Sequence, residues 1–137
     1  MSPLEKDRII EQELTLIKKE IAAVDGVPGD VQHVLRCLHD YLFEEKCNVN
    51  AILECSGVSS PSIHARFKHH VGMSMRNYLE KQRMKAARQL LQHNGIEIHM
   101  IFFSVGYASY RTFDRAFRRC SGYSPTAYRK KMPKENV

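Results

Sequence analysis

The feature that most constrains this chain is that it carries a second copy of part of itself. Shifted by fifty residues, Ile63 falls on Phe113, Phe67 on Phe117, Lys68 on Arg118, Gly72 on Gly122, Ser74 on Ser124, Tyr78 on Tyr128 and Ser59 on Ser109. Just upstream the offset becomes forty-nine, pairing Ile52 with Ile101, Gly57 with Gly106 and Val58 with Tyr107. Each copy reads as a short apolar helix, a glycine-bearing turn, a helix with an apolar pair four residues apart, and then G-x-S-x-x-x-Y. Two unrelated amphipathic helices would not keep the Gly, Ser and Tyr offsets together. A short helix, a tight turn and a second helix form a helix-turn-helix, which places its second helix in the major groove of DNA.

No segment beyond residue 45 alternates like a strand. Short helices with glycine-centred breaks are expected at about 49–55, 60–70, 74–93, 97–104, 110–120 and 125–131. The class is therefore all-α: two helix-turn-helix subdomains (about 49–70 and 97–120) joined by a linker helix (about 74–93), a homeodomain-like arrangement. Twenty residues span about 30 Å, and adjacent major grooves on one face of DNA lie about 34 Å apart. Ser74 and Ser124 read as helix N-caps.

Ahead of this unit, residues 3–24 read as a helix with Ile10, Leu14, Ile17, Ile21 and Val24 spaced four and three apart. Such a stripe fits a homodimer through residues 4–24, the end of a preceding regulatory domain, or the body of its own chain. Residues 25–30, DGVPGD, read as a linker. Asp30 is placed to cap a helix running to about Glu45 that buries Val34, Leu35, Leu38, Tyr41 and Leu42. The division is thus 1–28 for the leading helix and linker, 29–131 for the repeated unit, and 132–137 for a tail.

Charge is split along the chain. Residues 1–47 hold six basic and ten acidic side chains, and residues 48–137 hold fifteen basic and five acidic. A rear segment with that excess suits a polyanion. In the second copy, Phe113, Ala116, Phe117 and Cys120 share one helical face, and Arg111, Arg115 and Arg118 share the opposite one. The rings anchor the helix. The guanidiniums point away, where Arg pairs bidentately with guanine or grips phosphate. Tyr110 and Thr112 reach base edges from the first turn, while Arg118 and Arg119 meet the backbone. A solvated surface helix would instead alternate its charges. On the linker helix, Lys81, Arg83, Lys85 and Arg88 divide between phosphate and solvent.

The run VGYASYRTFDRAFRRCSGYSPTAYR, residues 105–129, resembles the signature of the AraC/XylS family of bacterial transcription regulators. The resemblance covers about 30–131. It implies a monomeric, cofactor-free module that binds double-stranded DNA at an asymmetric site in the cytoplasm, at the nucleoid, with RNA polymerase as a further partner. By family position the base readers are Tyr110, Arg111, Thr112 and Arg115 in the second unit, and Pro61, Ser62, His64 and Ala65 in the first. Lys68, Arg118, Arg119, Ser59 and Ser109 are placed for phosphate. Pro61 and Ala65 stand where members carry long polar readers, and Ala cannot form a bidentate pair. The second unit is therefore expected to supply most direct readout.

Other classes find less support. There is no phosphate-binding glycine loop, H-E-x-x-H or nucleophile elbow. Cys37, Cys47, Cys55 and Cys120 are scattered, which argues against the zinc-bound cluster of a DNA alkyl-transfer repair protein and leaves thiol sensing as an alternative. Cys120 and Cys37 are expected to pack. Adjacent His69 and His70 point about 100° apart on a helix, poor geometry for chelation. His93 and His99 read as solvated, and His33 with Cys37 makes only two ligands. A helical protein-interaction module with a basic face is the remaining alternative. No apolar run is long enough to cross a bilayer.

Overall fold

The computed structural model describes residues 1–21 and 26–131, which form eight helices and no strand. They are α1 (Pro3–Ile21), α2 (Gly29–Tyr41), α3 (Val49–Ser56), α4 (Ile63–Val71), α5 (Met75–Leu91), α6 (Ile98–Ser104), α7 (Tyr110–Ser121) and α8 (Pro125–Lys131). Each unit is a helix, a helix-turn-helix and a closing helix. The first uses α2 to α5 and the second uses α5 to α8, so α5 belongs to both.

The repeat holds in atomic detail. Phe67 meets Tyr78 edge-on with centroids 5.8 Å apart and planes at 80°, and Phe117 meets Tyr128 at 5.2 Å and 83°. Gly72 and Gly122 end their helices with φ at 94° and 80°, a conformation that costs glycine nothing. Their N–H groups donate to Lys68 O and Arg118 O, both at 2.9 Å. Ser74 Oγ then accepts from Asn77 N–H at 3.2 Å, and Ser124 Oγ from Ala127 N–H at 3.1 Å, as N-caps should.

Arg83 is the main departure from expectation. It is buried, not solvated or phosphate-facing. Its Nε donates to Leu42 O at 2.9 Å, and its Nη2 donates to Glu44 O at 2.7 Å and Cys47 O at 3.2 Å. The guanidinium also lies 5.6 Å from the Tyr107 ring centroid. A Cβ on Gly106 would come within 2.8 Å of it. Arg83 therefore touches the loop that opens the first unit and the turn of the second. The second unit repeats the clamp. Arg129 Nε donates to Leu91 O at 3.0 Å, and its Nη2 donates to His93 O at 3.1 Å and Ile96 O at 2.7 Å.

The clamp explains why α2 ends at Tyr41 and not near Glu45. Three carbonyls within six residues cannot converge on one guanidinium while remaining helical. Tyr41 is 45% exposed, at the rim of the buried face formed by Val34, Leu35, Leu38 and Leu42. Asp30 is one step inside α2 and not its N-cap, although its Oδ1 accepts from Val31 N–H at 2.9 Å in the first turn. Pro28 holds that position without a side-chain bond. The Asp30 carboxylate pairs bidentately with Arg66 at 2.9 and 3.1 Å, and this guanidinium holds its carboxyl below the usual range.

Helix α1 runs antiparallel to α5. Glu20 pairs with Lys85, Glu13 lies 3.6 Å from His93, and Lys6 pairs with Glu97. Ile10 and Ile17 are buried and Leu14 packs partly against the core, so this part of the stripe is taken up within the chain. Val24 and the Ile21 side chain lie outside the described residues, as does part of the 25–30 linker.

Two outcomes are expected. Arg83→Ala should lower the free energy of unfolding by about 3 kcal/mol in denaturant titration, because buried carbonyls lose a charged donor. Arg83→Lys should recover only part of this, since an ammonium lacks the planar fork. Buried His39 is the second case. Burial lowers its pKa below 6.5 against weaker opposing effects of the Lys18 backbone and then Asp40. The unfolded chain then binds the proton more readily, so stability should fall as pH drops below about 6.5. Melting temperatures at pH 7.5 and 5.5 should differ less for His39→Gln than for the parent.

Candidate nucleic-acid interface

Helix α7 shows how the second unit presents its charges. Phe113, Ala116 and Phe117 are buried. Ser109 caps the helix, its Oγ accepting from Thr112 N–H at 3.3 Å and lying 3.0 Å from Thr112 Oγ1. Tyr110, Arg111, Thr112 and Arg115 are all exposed, and the first three lie in the opening turn. Arg111 and Arg115 take no carboxylate partner among the described residues. Arg118 and Arg119 do. Arg118 Nε donates to both Asp114 oxygens at 3.0 Å. Arg119 reaches across to α5, donating from Nη2 to Glu80 Oε2 at 2.7 Å and from Nε to Glu80 Oε1 at 3.2 Å.

The first unit presents less. Helix α4 begins at Ile63, not at residue 60, so Pro61 and Ser62 stand in the turn before it, although both are exposed. Ile63 N–H donates to Ser60 O at 3.1 Å, and the Ser60 and Ser62 hydroxyls lie 2.8 Å apart. Ile63 and Phe67 are buried, while Ser59, His64, Ala65 and Lys68 are exposed. Arg66, the remaining cation of this helix's first two turns, is held by Asp30.

A cleft of about 630 Å³ opens between the units, bounded by Asn48 and Asn50 at the head of α3, Arg76 and Glu80 on α5, and Thr112 and Arg115 on α7. Arg76 had no signal in the sequence, since Thr126 stands fifty residues on.

A family model described as a helix-turn-helix domain matches residues 52–131. The chain belongs to the AraC/XylS-type helix-turn-helix family. The match begins inside α3 and takes in α4 to α8 of this AraC-type domain. The chain is 28% identical over 132 residues to the HTH-type transcriptional activator RhaS of Escherichia fergusonii, covering 94% of this chain and 47% of that protein. It is 26% identical over 120 residues to the protein of the same name from Salmonella paratyphi B, covering 85% and 43%. The chain thus spans about half the length of the curated relatives it matches. Among solved structures it is similar to the C-terminal domain of AraT, a response regulator from Geobacillus stearothermophilus, with a TM-score of 0.73 and 27% identity over 81% of this chain and 93% of that one.

The four thiols of this AraC-type domain differ in exposure. Cys120 is exposed rather than packed. It lies on the correct side of α7, but the last turn overhangs the core, and its Sγ donates to Glu80 Oε1 at 3.4 Å. Cys55 is exposed, Cys47 buried and Cys37 half-buried. Burial, with the Cys55 thiol beside it, pushes Cys37 up to about 12, and burial also raises Cys47. His69 and His70 are exposed with their rings at 86°. Among the described residues, no three His, Cys, Asp or Glu side chains gather as a metal site. No described helix is long and apolar enough to cross a membrane.

Alkylation should expose this ordering. In native protein at pH 8, Cys55 should react with iodoacetamide at least about tenfold faster than Cys37 or Cys47, since the thiolate is the nucleophile. Quenched aliquots read by peptide mass spectrometry give the rates. A Cys37 or Cys47 as fast as Cys55 would favour thiol sensing.

Proposed function

We propose that this chain is a sequence-specific regulator of transcription that inserts α4 and α7 into adjacent major grooves of double-stranded DNA. The observation that carries this reading is the state of Arg111 and Arg115. Two guanidiniums stand exposed on the face of α7 opposite its buried rings, without a carboxylate partner among the described residues, while the neighbouring Arg118 and Arg119 are matched to carboxylates. Arg in that state suits guanine O6 and N7.

Length supports the two-groove reading. The 17 residues of α5 rise about 25 Å, and the two helices that flank it add to that separation. The sum approaches one turn of DNA. The second unit supplies most base readout through Tyr110, Arg111, Thr112 and Arg115. The first contributes backbone contacts from Ser59 and Lys68 and lighter readout from Pro61, Ser62, His64 and Ala65. The RhaS proteins are named transcriptional activators, which supports an activating role with RNA polymerase as partner.

The test is a binding comparison on a selected site. Arg111→Ala and Arg115→Ala should each cost about 1–3 kcal/mol and relax preference at one base position. His64→Ala should weaken all duplexes similarly and by less. If His64→Ala relaxes specificity while both arginine variants keep it, the roles of the two units are reversed.

A further inference from the structure

The flanks of α7 differ. With the buried edge at Phe113, Ala116 and Phe117, the wheel places Thr112 and Arg119 on the flank facing α5, and Asp114 on the flank away from it. Beyond Thr112 and Arg119 lies the cleft between the units, floored by α5 and closed by the head of α3.

A major groove is about 12 Å wide, and a helix with its side chains is about 10–12 Å across. A helix lying in the groove therefore has a phosphate strand along each flank. For α7, the strand on the side of the first unit must pass the cleft. Its walls carry Arg76, Arg115 and Arg119 against a single carboxylate, Glu80. The Arg83 charge is already committed to three carbonyls. Arg119 is committed to Glu80 at both ends of its fork. Arg76, in the first turn of α5, is exposed and has no carboxylate partner among the described residues.

We propose that the cleft between the two units seats the sugar-phosphate strand bordering the groove that α7 enters, that Arg76 and Asn50 hold this strand, and that Glu80 keeps Arg119 out of the contact. The proposal rests on the duplex-binding reading above. Arg76 supplies charge from the α5 floor and Asn50 an amide donor from the head of α3, so two different elements hold one strand. Glu80 acts as a governor. It removes one phosphate contact by occupying Arg119 and adds a negative charge where the strand passes.

Opposite signs make the proposal testable. Affinity for a selected duplex and for a random duplex is measured by fluorescence anisotropy across a potassium chloride series. Arg76→Gln should weaken both duplexes by about threefold to tenfold and make the log–log salt slope shallower by about one, with base preferences unchanged. Asn50→Ala, on a separate helix, should weaken both about twofold to threefold without changing the slope, since a neutral donor releases no counterion. Glu80→Gln should tighten both duplexes and steepen the slope by about one, and adding Arg119→Ala should cancel that gain. Melting curves confirm that each variant is folded. If the parent protein binds no duplex, the DNA reading itself fails. If the parent binds and Arg76→Gln and Glu80→Gln leave affinity and slope unchanged, only the cleft assignment falls. Inorganic pyrophosphate titrated by calorimetry provides the last arm. Saturable binding lost in Arg76→Gln, with duplex affinity intact, would give the cleft to a small anion and overturn the proposal.

Discussion

The relation between the two units depends on one buried cation. Arg83 draws the carbonyls of Leu42, Glu44 and Cys47 onto a single guanidinium, which at the same time lies over Tyr107 and against Gly106. The first three residues open one helix-turn-helix, and the last two form the turn of the other. Burial lowers the pKa of this arginine, offset in part by Tyr107 and Cys47, but a guanidinium starts so high that it stays charged. A buried charge without partners would be costly, so the loop must keep its carbonyls turned inward. Gly106, with φ at 105°, leaves room for the guanidinium, and any side chain there would strike it. The contact between the two units therefore depends on a hydrogen-bond pattern as well as on the apolar core.

The charge split in the sequence has two structural meanings. Part of the acidic front lies against α5 and its extension, where Glu20 pairs with Lys85 and Glu13 lies beside His93, while Lys6 of the same helix meets Glu97. Those pairs are exposed or half-exposed and contribute modestly to stability. Their larger effect is on distribution. They match charge on the α1 side of α5, while Arg76, Arg111 and Arg115 have no carboxylate partner among the described residues. The stripe of Ile10, Leu14 and Ile17 does the apolar part of the same docking.

Much of this was legible because the repeat is written in residues whose roles are local. A glycine ending a helix, a serine capping the next and an apolar pair four residues apart each act within one or two turns. The clamps were not legible, for the opposite reason. Their acceptors repeat at the forty-nine-residue offset, Leu42 with Leu91, Glu44 with His93 and Cys47 with Ile96, but these are backbone atoms that any residue supplies. The donors break register. Arg129 follows Tyr128 directly, whereas Arg83 comes five residues after Tyr78, one helical turn later. Asp30 looked like a cap because its partner, Arg66, is thirty-six residues away. For Cys120 the wheel gave the correct side of α7 but not how far the core extends along it.

The same reasoning accounts for the asymmetry proposed between the units. Ser109 caps α7 so that the next three residues are helical, and their side chains leave a fixed first turn. In the first copy the corresponding serine is followed by Ser60 and Pro61. Proline disfavours a helical residue before it, and α4 starts only at Ile63. Two of the first unit's four reading positions therefore sit on a turn, where side-chain direction is less constrained. Its outward helical face is left with His64, Ala65 and Lys68, since Arg66 is drawn back to Asp30. A face with one fixed point charge and no free fork is suited to locating a backbone. Under the proposed function, the first unit sets position along the duplex, and α7, with its unpaired guanidiniums on a fixed turn, reads the bases.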